Sequence, residues 1–313
     1  MRRRYQPPTD WSGEYQDRIC AGCLPHCRWT GVCDLLIHLF SLAWWFEPSI
    51  SGESQVTVES ANESVNAERF AKEGLDVLSH LVETCRDDVS RAAALIAQCV
   101  RDDGVIQAFG TGHSQALVLE LAGRAGGFVP TNRLQVPDLV LFGGDAPSAL
   151  DDPLLEREPG VAARLYDLAA PRPQDLFVVV SNSGVNNVIV EMAIQAKEHG
   201  HKLLAITSLA HTRAVPAKHP SGKKLADLAD VVLDNAAPRG DALLPLPGGG
   251  AVCALSTLTG VMLVQMAVAE AAGQLIESGD RPPVYVSANV PGGFEGNLEL
   301  EKRYEGRIRR TAS

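Results

Sequence analysis

The sequence predicts an α/β fold in which helices cover both faces of a parallel β-sheet. Strand-like apolar runs alternate with helix-like segments, and the connections are short, as in three-layer α/β domains. The run DLFVVV (175–180) is almost wholly apolar, which is typical of strands that helices bury on both faces. KLLAITS (202–208) is predicted to be another buried strand. Ligands of such sheets bind at the carboxyl ends of the strands.

The first elements follow from apolar spacing and from the residues that interrupt it. Residues 62–100 carry apolar side chains at intervals of three and four, which predicts two helices or one long bent helix. DDG at 102–104 ends this segment, and VIQAF at 105–109 is the first predicted strand. GTGHS connects that strand to a helix predicted over 114–126.

The remaining elements alternate in the same way. They are short apolar pieces in FVPTNRL and LVLFGG, a helix over 160–168, the strand 175–180, a helix over 188–200, the strand 202–208, a short helix and a strand within 224–235, a long apolar helix over 251–273 and a charged helical tail over 297–310. Residues 234–251 are rich in Gly, Pro and Ala, which predicts a surface or active-site loop. Helix 251–273 is too apolar for a surface helix, so we expect it in the core or at a subunit interface.

Composition excludes several classes of function. The chain has 313 residues and a net charge of −10, so no basic surface indicates a nucleic-acid partner. No apolar run reaches about 18 residues, and no membrane span is therefore expected. Cys85, Cys99 and Cys253 lie scattered in apolar segments. They are expected to be buried, reduced thiols, which favours a cytoplasmic location.

Residues 1–58 differ from the rest of the chain. They contain all four tryptophans and four of the seven cysteines. We expect a non-core extension, disordered or arising from a mis-assigned start, ahead of one domain over 59–313. The alternative is a metal site formed by the cysteines of this segment, although their spacing lacks the usual paired pattern; these are Cys20, Cys23, Cys27 and Cys33.

Two turns rich in glycine and serine follow predicted strands. GTGHS (110–114) and SNSGVNN (181–187) each connect a strand to a helix. Free backbone N–H groups, the helix dipole and serine hydroxyls make such turns suited to anions. The sequence contains neither G-x-G-x-x-G at this turn nor a P-loop nor G-x-S-x-G. The two turns therefore predict an anion site that lacks the known nucleotide-binding motifs.

The motifs resemble the sugar isomerase (SIS) domain, and within it the bacterial UPF0309-like subfamily of stand-alone proteins. The motifs that carry the resemblance are FGTGHS, VVVSNSGVNN, LLAITS, LEREPG (155–160) and PVYVSANVPGG (283–293). The resemblance covers about residues 62–308 and implies a three-layer sandwich with a parallel five-stranded sheet of Rossmann-like topology, preceded by helices. It also implies a phosphosugar ligand and a homodimer, or a larger assembly, with a shared active site.

The resemblance assigns phosphate-binding residues position by position. Ser114 matches the serine of the first turn, and Asn186 stands in the second turn where threonine is usual. Together with the turn residues themselves, the predicted phosphate ligands are Thr111, Gly112, Ser114, Ser181, Asn182, Ser183 and Asn186.

Glu120 is the first candidate for a catalytic base. It lies six residues after Ser114 in the apolar segment ALVLELA, where a carboxylate is expected to have a raised pKa. The alternative is an exposed ion pair with Arg124, four residues away. The resemblance favours the first interpretation, because related phosphosugar enzymes carry an acid or a histidine in this helix.

Five further residues are weaker candidates. His113 could contact phosphate or move a proton, and Glu156 is a second candidate carboxylate unless it only pairs with Arg157. Residues predicted to contact the sugar are Ser208, His211 and Asn289, of which His211 could instead be solvent-exposed and Asn289 part of a plain turn. No histidine pair has metal-binding helical spacing, and no metal or cofactor is expected.

Three functions fit these residues. The favoured one is a lyase or dehydratase that acts on an amino-sugar 6-phosphate, most simply N-acetylglucosamine 6-phosphate, by proton removal at carbon 2 and elimination. An aldose–ketose phosphosugar isomerase begins with the same proton removal. The third is a sugar-phosphate sensor without catalysis. Residues 1–60 show no helix-turn-helix pattern, so DNA binding is not expected of it.

Overall fold

The computed structural model describes residues 65–152 and 154–309. The extension predicted for residues 1–58, with its four cysteines and their possible metal site, lies outside the described residues.

The helices follow one another along the described chain, with three short 3-10 turns between some of them. They are α1 (Ala67–Thr84), α2 (Arg86–Arg101), α3 (Gln115–Leu121), α4 (Asp138–Leu141), α5 (Val161–Ala169), α6 (Asn187–Glu198), α7 (Leu209–Ala214), α8 (Leu225–Leu228), α9 (Ser256–Glu277) and α10 (Gly293–Lys302).

The strands form two sheets. They are β1 (Ile106–Gly110), β2 (Thr131–Leu134), β3 (Leu176–Val180), β4 (Lys202–Thr207), β5 (Val231–Asp234), β6 (Ala242–Pro245) and β7 (Ala251–Ala254). The first five form one sheet in the order β2-β1-β3-β4-β5, in which every neighbouring pair is parallel. The last two form an antiparallel hairpin.

The predicted three-layer α/β fold is confirmed. One apolar core joins a face of the sheet to α2, α3 and α9, and a second core joins the other face to α5 and α6. All residues of β1 and β3 are buried, because helices cover both sides of these central strands. The sheet order changes direction between β1 and β3, which is the point where open α/β sheets bind ligands.

Local structure departs from the sequence prediction in three places. Helix α3 ends at Leu121, five residues before the predicted end, and Gly123 and Gly126 follow with positive φ. The predicted loop 234–251 contains strand β6, and β7 begins at its last residue. The long apolar helix begins at Ser256 because residues 251–254 belong to that hairpin.

Helix α9 is long and apolar enough to cross a membrane, a property that the sequence analysis did not anticipate. One side of this helix is buried, and it packs against α2 and α3. A core helix of a water-soluble domain has the same length and composition, and this packing is what the prediction of a core or interface helix expected.

Gly260 allows α9 and α3 to approach closely. A Cβ atom at this position would overlap the side chain of Leu117 on α3, whereas one at Gly273 on the same helix would meet nothing within 4 Å. We expect Gly260→Ala to lower the free energy of unfolding by about 1–3 kcal/mol through overpacking. Gly273→Ala is the matched control and should raise it by about 0.5–1 kcal/mol. Urea unfolding measures both, and equal effects would contradict a close approach at Gly260.

The thiols of the described chain are free. Cys85 and Cys99 are buried as predicted, while Cys253 is half-buried on β7 rather than in a helix. Burial raises the pKa of the Cys99 thiol to about 12, so this side chain stays neutral and acts as a small apolar group.

A buried polar cluster joins the C-terminal segment to the amino-terminal end of the sheet. Asp175 is 2% exposed and accepts hydrogen bonds from the backbone N–H of Val105 (2.9 Å), from Gln107 Nε2 (2.9 Å) and from Arg307 Nη2 (2.6 Å). Gln107 in turn accepts from Asn132 at 2.9 Å. The charge of Arg307 therefore holds the chain end against the strands that carry the site.

Candidate functional site

The first turn lies at the carboxyl end of β1. Thr111 leaves the strand with extended backbone, Gly112 has φ +56° and the turn 112–114 is a single 3-10 turn that leads into α3. The Ser114 N–H donates to the Thr111 carbonyl at 3.2 Å. Ser114 is half-buried, and Gly112 and His113 are exposed. The turn therefore presents small and polar groups at the edge of the sheet.

The second turn lies beside the first, because β3 is the parallel neighbour of β1. Ser181 is buried, and its Oγ accepts the Gly184 N–H at 3.1 Å. Gly184 has φ +66°, and a Cβ there would meet the hydroxyls of Thr207 and Thr212 at 3.1 and 3.2 Å. The positive φ and these close contacts favour glycine at this position, and the packing beneath the turn restrains its conformation.

A cavity of about 90 Å³ opens between the first turn, the end of β3 and the beginning of α9. It is lined by His113, Ser114, Leu117, Val180, Asn182, Asn235, Asp241, Ser256 and Thr257. Asn235 donates to Asn182 Oδ1 at 3.1 Å, which fixes the orientation of both amides. The structure thus brings together three of the predicted site residues: His113, Ser114 and Asn182.

Asn186 and Glu156 contribute to a different cavity. This second cavity of about 210 Å³ is lined by Glu156, Arg157, Asn186, Asn187 and Lys218, at the beginning of α6. Asn186 caps α6 without a side-chain hydrogen bond to the helix, so its amide is available to a ligand. Ser183 is half-buried in the turn that separates the two cavities, and its carbonyl accepts from Thr212 at 2.9 Å.

Glu120 does not line either cavity. Its carboxylate accepts hydrogen bonds from Arg124, which lies just beyond the end of α3, and from Gln265 on α9. The pairing with Arg124 that the sequence left open therefore exists. The Glu120 side chain is nevertheless only 17% exposed, so the contact with Gln265 holds it at the seam between α3 and α9.

Ser208 and His211, which are predicted to contact the sugar, contact the loop after β5. Ser208 is fully buried; its hydroxyl donates to the Ala237 carbonyl at 2.7 Å and accepts the His211 N–H at 3.0 Å, as the N-cap of α7. His211 Nδ1 accepts the Gly240 N–H at 3.1 Å. Neither side chain lines the cavity. Both hold the loop 235–241 in place.

Asn289 also lies outside the cavity lining. It is exposed in the turn before α10, and its backbone N–H donates to Ser287 Oγ at 3.3 Å. This geometry corresponds to the plain turn that the sequence left open as the alternative for Asn289.

Four polar residues of the cavity were missed by the sequence analysis. Asn235 and Asp241 come from the loop after β5, and Ser256 and Thr257 begin α9. Asp241 is the one carboxylate among the residues that line the cavity. In the sequence it has one weak signal, an acidic residue that directly follows Arg-Gly in a loop. Within the described residues, no group of three or more His, Cys, Asp or Glu side chains could hold a metal ion.

The parallel sheet and the two serine-containing turns define a SIS-domain protein. The family model described as "SIS domain" matches residues 69–208, which include both turns. Curated bacterial relatives extend the similarity over most of the chain. A UPF0309 protein of Listeria monocytogenes is 38% identical over 240 residues, which is 76% of this chain and 97% of the relative. The chain belongs to the UPF0309 family.

A second relative is similar to the same degree, and two solved structures are more distantly similar. A UPF0309 protein of Streptomyces avermitilis is 37% identical over 248 residues, 79% of this chain and 98% of its own. A phosphoheptose isomerase from Francisella tularensis is 14% identical with a TM-score of 0.47, over 65% of this chain and 95% of that one. The NanR protein of Vibrio vulnificus, solved with ManNAc-6P, is 15% identical with a TM-score of 0.42, over 76% of this chain and 67% of that one.

Proposed function

We propose that this protein is a phosphosugar enzyme that acts on an amino-sugar 6-phosphate, most simply N-acetylglucosamine 6-phosphate, by proton removal at carbon 2 and elimination. The observation that carries the proposal is the polar cavity between the serine-containing turns at the switch point of a SIS-domain sheet. Ser114 and Asn182 supply neutral hydrogen-bond donors there, as a phosphate requires.

The cavity is too small to enclose the whole ligand. Its volume of about 90 Å³ is below the roughly 300 Å³ at which ligand pockets begin, although it suffices for a phosphoryl group. The rest of the sugar must therefore lie outside it, against another surface. A second copy of the chain supplies that surface in our proposal, in line with the shared active site that the family resemblance implies.

The outer side of α3 and α9 supports this arrangement. Leu119, next to Glu120, is 47% exposed, and Leu258 and Met262 on α9 are 48% and 37% exposed. Leu258 and Met262 precede Gln265 by seven and three residues, so they share its helix face. Exposed apolar side chains around a partly buried carboxylate are suited to a subunit contact. Glu120 would then face the sugar bound by the partner.

The proposed reaction removes one proton and releases one molecule of water. The Glu120 carboxylate takes the proton from carbon 2 of the open-chain aldehyde, and the resulting enolate expels the hydroxyl at carbon 3. That hydroxyl leaves as water with a proton donated by an acid, for which His113 is the candidate. The organic product is an α,β-unsaturated aldehyde.

The test is incubation of the protein with N-acetylglucosamine 6-phosphate, followed by ultraviolet absorbance and by NMR in deuterium oxide. We expect a conjugated product, and we expect Glu120→Gln to slow its formation by about 10²–10⁴-fold while ligand binding persists. Glu270→Gln, on an exposed part of α9, is the matched control and should react normally.

The other outcomes identify the alternatives. Deuterium exchange at carbon 2 without a conjugated product would indicate an isomerase, because an isomerase returns the proton to the neighbouring carbon. Binding in a thermal-shift assay without exchange or product would indicate a sugar-phosphate sensor, and Glu120→Gln would then leave binding unaltered.

A further inference from the structure

The Glu120 carboxylate is held by only one of its two oxygens. Both of its hydrogen bonds, from Arg124 Nη1 and from Gln265 Nε2, end on Oε1. Within the described residues no group donates to Oε2, and the side chain keeps 17% of its surface exposed. An ionised carboxylate offers about four lone-pair sites, so Oε2 retains its capacity to accept a proton from a ligand.

The two donors differ in how firmly the fold places them. Arg124 lies beyond the end of α3 between two glycines of positive φ, and its side chain is 48% exposed. Exposed ion pairs are screened by solvent and contribute little. Gln265 is half-buried within α9, a helix that approaches α3 closely where Gly260 meets Leu117. Gln265 is therefore the donor that sets the orientation of the Glu120 carboxylate.

The chemistry of this pair fixes which way the Gln265 amide points. An ionised carboxylate has no N–H or O–H of its own, so the amide can contact it favourably only through its N–H₂ group. Gln265 Nε2 lies 2.5 Å from Glu120 Oε1. Since the amide is neutral, it orients the carboxylate without bringing a charge to it.

We propose that Gln265 is a positioning residue for the proposed reaction: it fixes Oε1 of Glu120 and thereby directs Oε2 toward the proton on carbon 2. The inference rests on the proposed function and adds to it a residue that acts through Glu120. A base is effective only when it is held in line with the proton that it removes, and a misplacement of about 1 Å can slow a reaction about 10²-fold. Loss of the Gln265 N–H should therefore slow proton removal and leave ligand binding nearly unaltered.

The test compares the wild-type protein with Gln265→Met. Methionine has a similar length and volume and forms helices well, but it has no N–H to donate. The substrate is N-acetylglucosamine 6-phosphate with deuterium at carbon 2, and NMR follows the release of this deuterium to water. The release reports proton removal itself, whichever product forms. We expect kcat to fall about ten- to a hundredfold in Gln265→Met, with KM within about threefold of the wild-type value.

Gln274→Met is the matched control. Gln274 lies further along the same helix, and its Nε2 also donates to a glutamate, Glu270 Oε1, at 3.4 Å. Glu270 is exposed and has no part in the proposed reaction. The variant removes the same kind of contact from the same helix and should react at the wild-type rate. Circular dichroism verifies that both variants are folded.

Each result decides the proposal. If kcat stayed near the wild-type value in Gln265→Met, or fell equally in Gln274→Met, Gln265 would only join the two helices, and deuterium release by the wild-type protein would leave the proposed function intact. A raised KM with unaltered kcat would show that Gln265 acts on ligand binding and would overturn the positioning role. If the folded wild-type protein released no deuterium, both the proposed function and the role of Gln265 would be overturned.

Discussion

Asp175→Asn is expected to lower the free energy of unfolding by about 3–5 kcal/mol, because it removes one partner of a buried ion pair. Arg307 contacts Asp175 at 2.6 Å, and the two side chains are 10% and 1% exposed. The substitution leaves the guanidinium charge without its carboxylate in a site that water scarcely reaches. It also places an amide N–H₂ where one oxygen now accepts from Gln107 Nε2 or from Arg307.

The effect should be a large part of the whole stability of the domain, since folded domains are stable by only about 5–15 kcal/mol. Equilibrium urea unfolding measures it through the change in transition midpoint. Asp103→Asn is the matched control: its pair with Arg303 in the same C-terminal segment is 3.3 Å long but 53–60% exposed, and it should cost no more than about 1 kcal/mol. If both variants lost a similar amount of unfolding free energy, the buried Asp175–Arg307 pair would contribute no more to stability than the exposed one.

Much of the fold could be predicted because local patterns of apolar residues indicate most of its strands and helices. The strands β1, β3 and β4 are short and mostly apolar, and two of them run directly into turns of small polar residues. The hairpin of β6 and β7 was missed for the opposite reason. Its strands are four residues each, and the prolines and glycines between them dominate the local signal.

The candidate site was predicted only in part, because its residues come from segments far apart in the sequence. Ser114 and Asn182 follow neighbouring strands, and parallel pairing suffices to bring them together. Asp241 reaches the cavity through hydrogen bonds to residues 14 and 15 positions further on, and no periodicity encodes such a contact. Ser208 and His211 follow a strand as well, yet their hydrogen bonds to residues 237 and 240 turn them toward the loop.

Gly184→Ala is expected to weaken phosphosugar binding about ten- to a hundredfold. The residue has φ +66°, and its added Cβ would meet Thr207 Oγ1 at 3.1 Å, Thr212 Oγ1 at 3.2 Å and Leu225 Cβ at 3.4 Å. The threonine hydroxyls cannot easily yield, because Thr212 donates to the Ser183 carbonyl and contacts Thr207. The turn must therefore move instead, and it carries the hydroxyls and N–H groups that are proposed to hold the phosphate.

The loss of one charge-assisted hydrogen bond weakens binding by about 1.5–3 kcal/mol, so we expect Gly184→Ala to bind N-acetylglucosamine 6-phosphate about ten- to a hundredfold more weakly. Gly222→Ala is the matched control. Gly222 has φ +70° and open space around its Cβ position, so alanine there introduces backbone strain without displacing the phosphate-binding turn. Both variants should lose about 1–2 kcal/mol of stability because alanine is strained in left-handed backbone, and Gly184→Ala should lose more because its Cβ also meets the threonines.

Calorimetry at a temperature where both variants are folded measures the binding. Normal affinity in Gly184→Ala would mean that the second turn does not hold the phosphate, whereas weakened binding confined to this variant would assign the phosphate to the turn between β3 and α6.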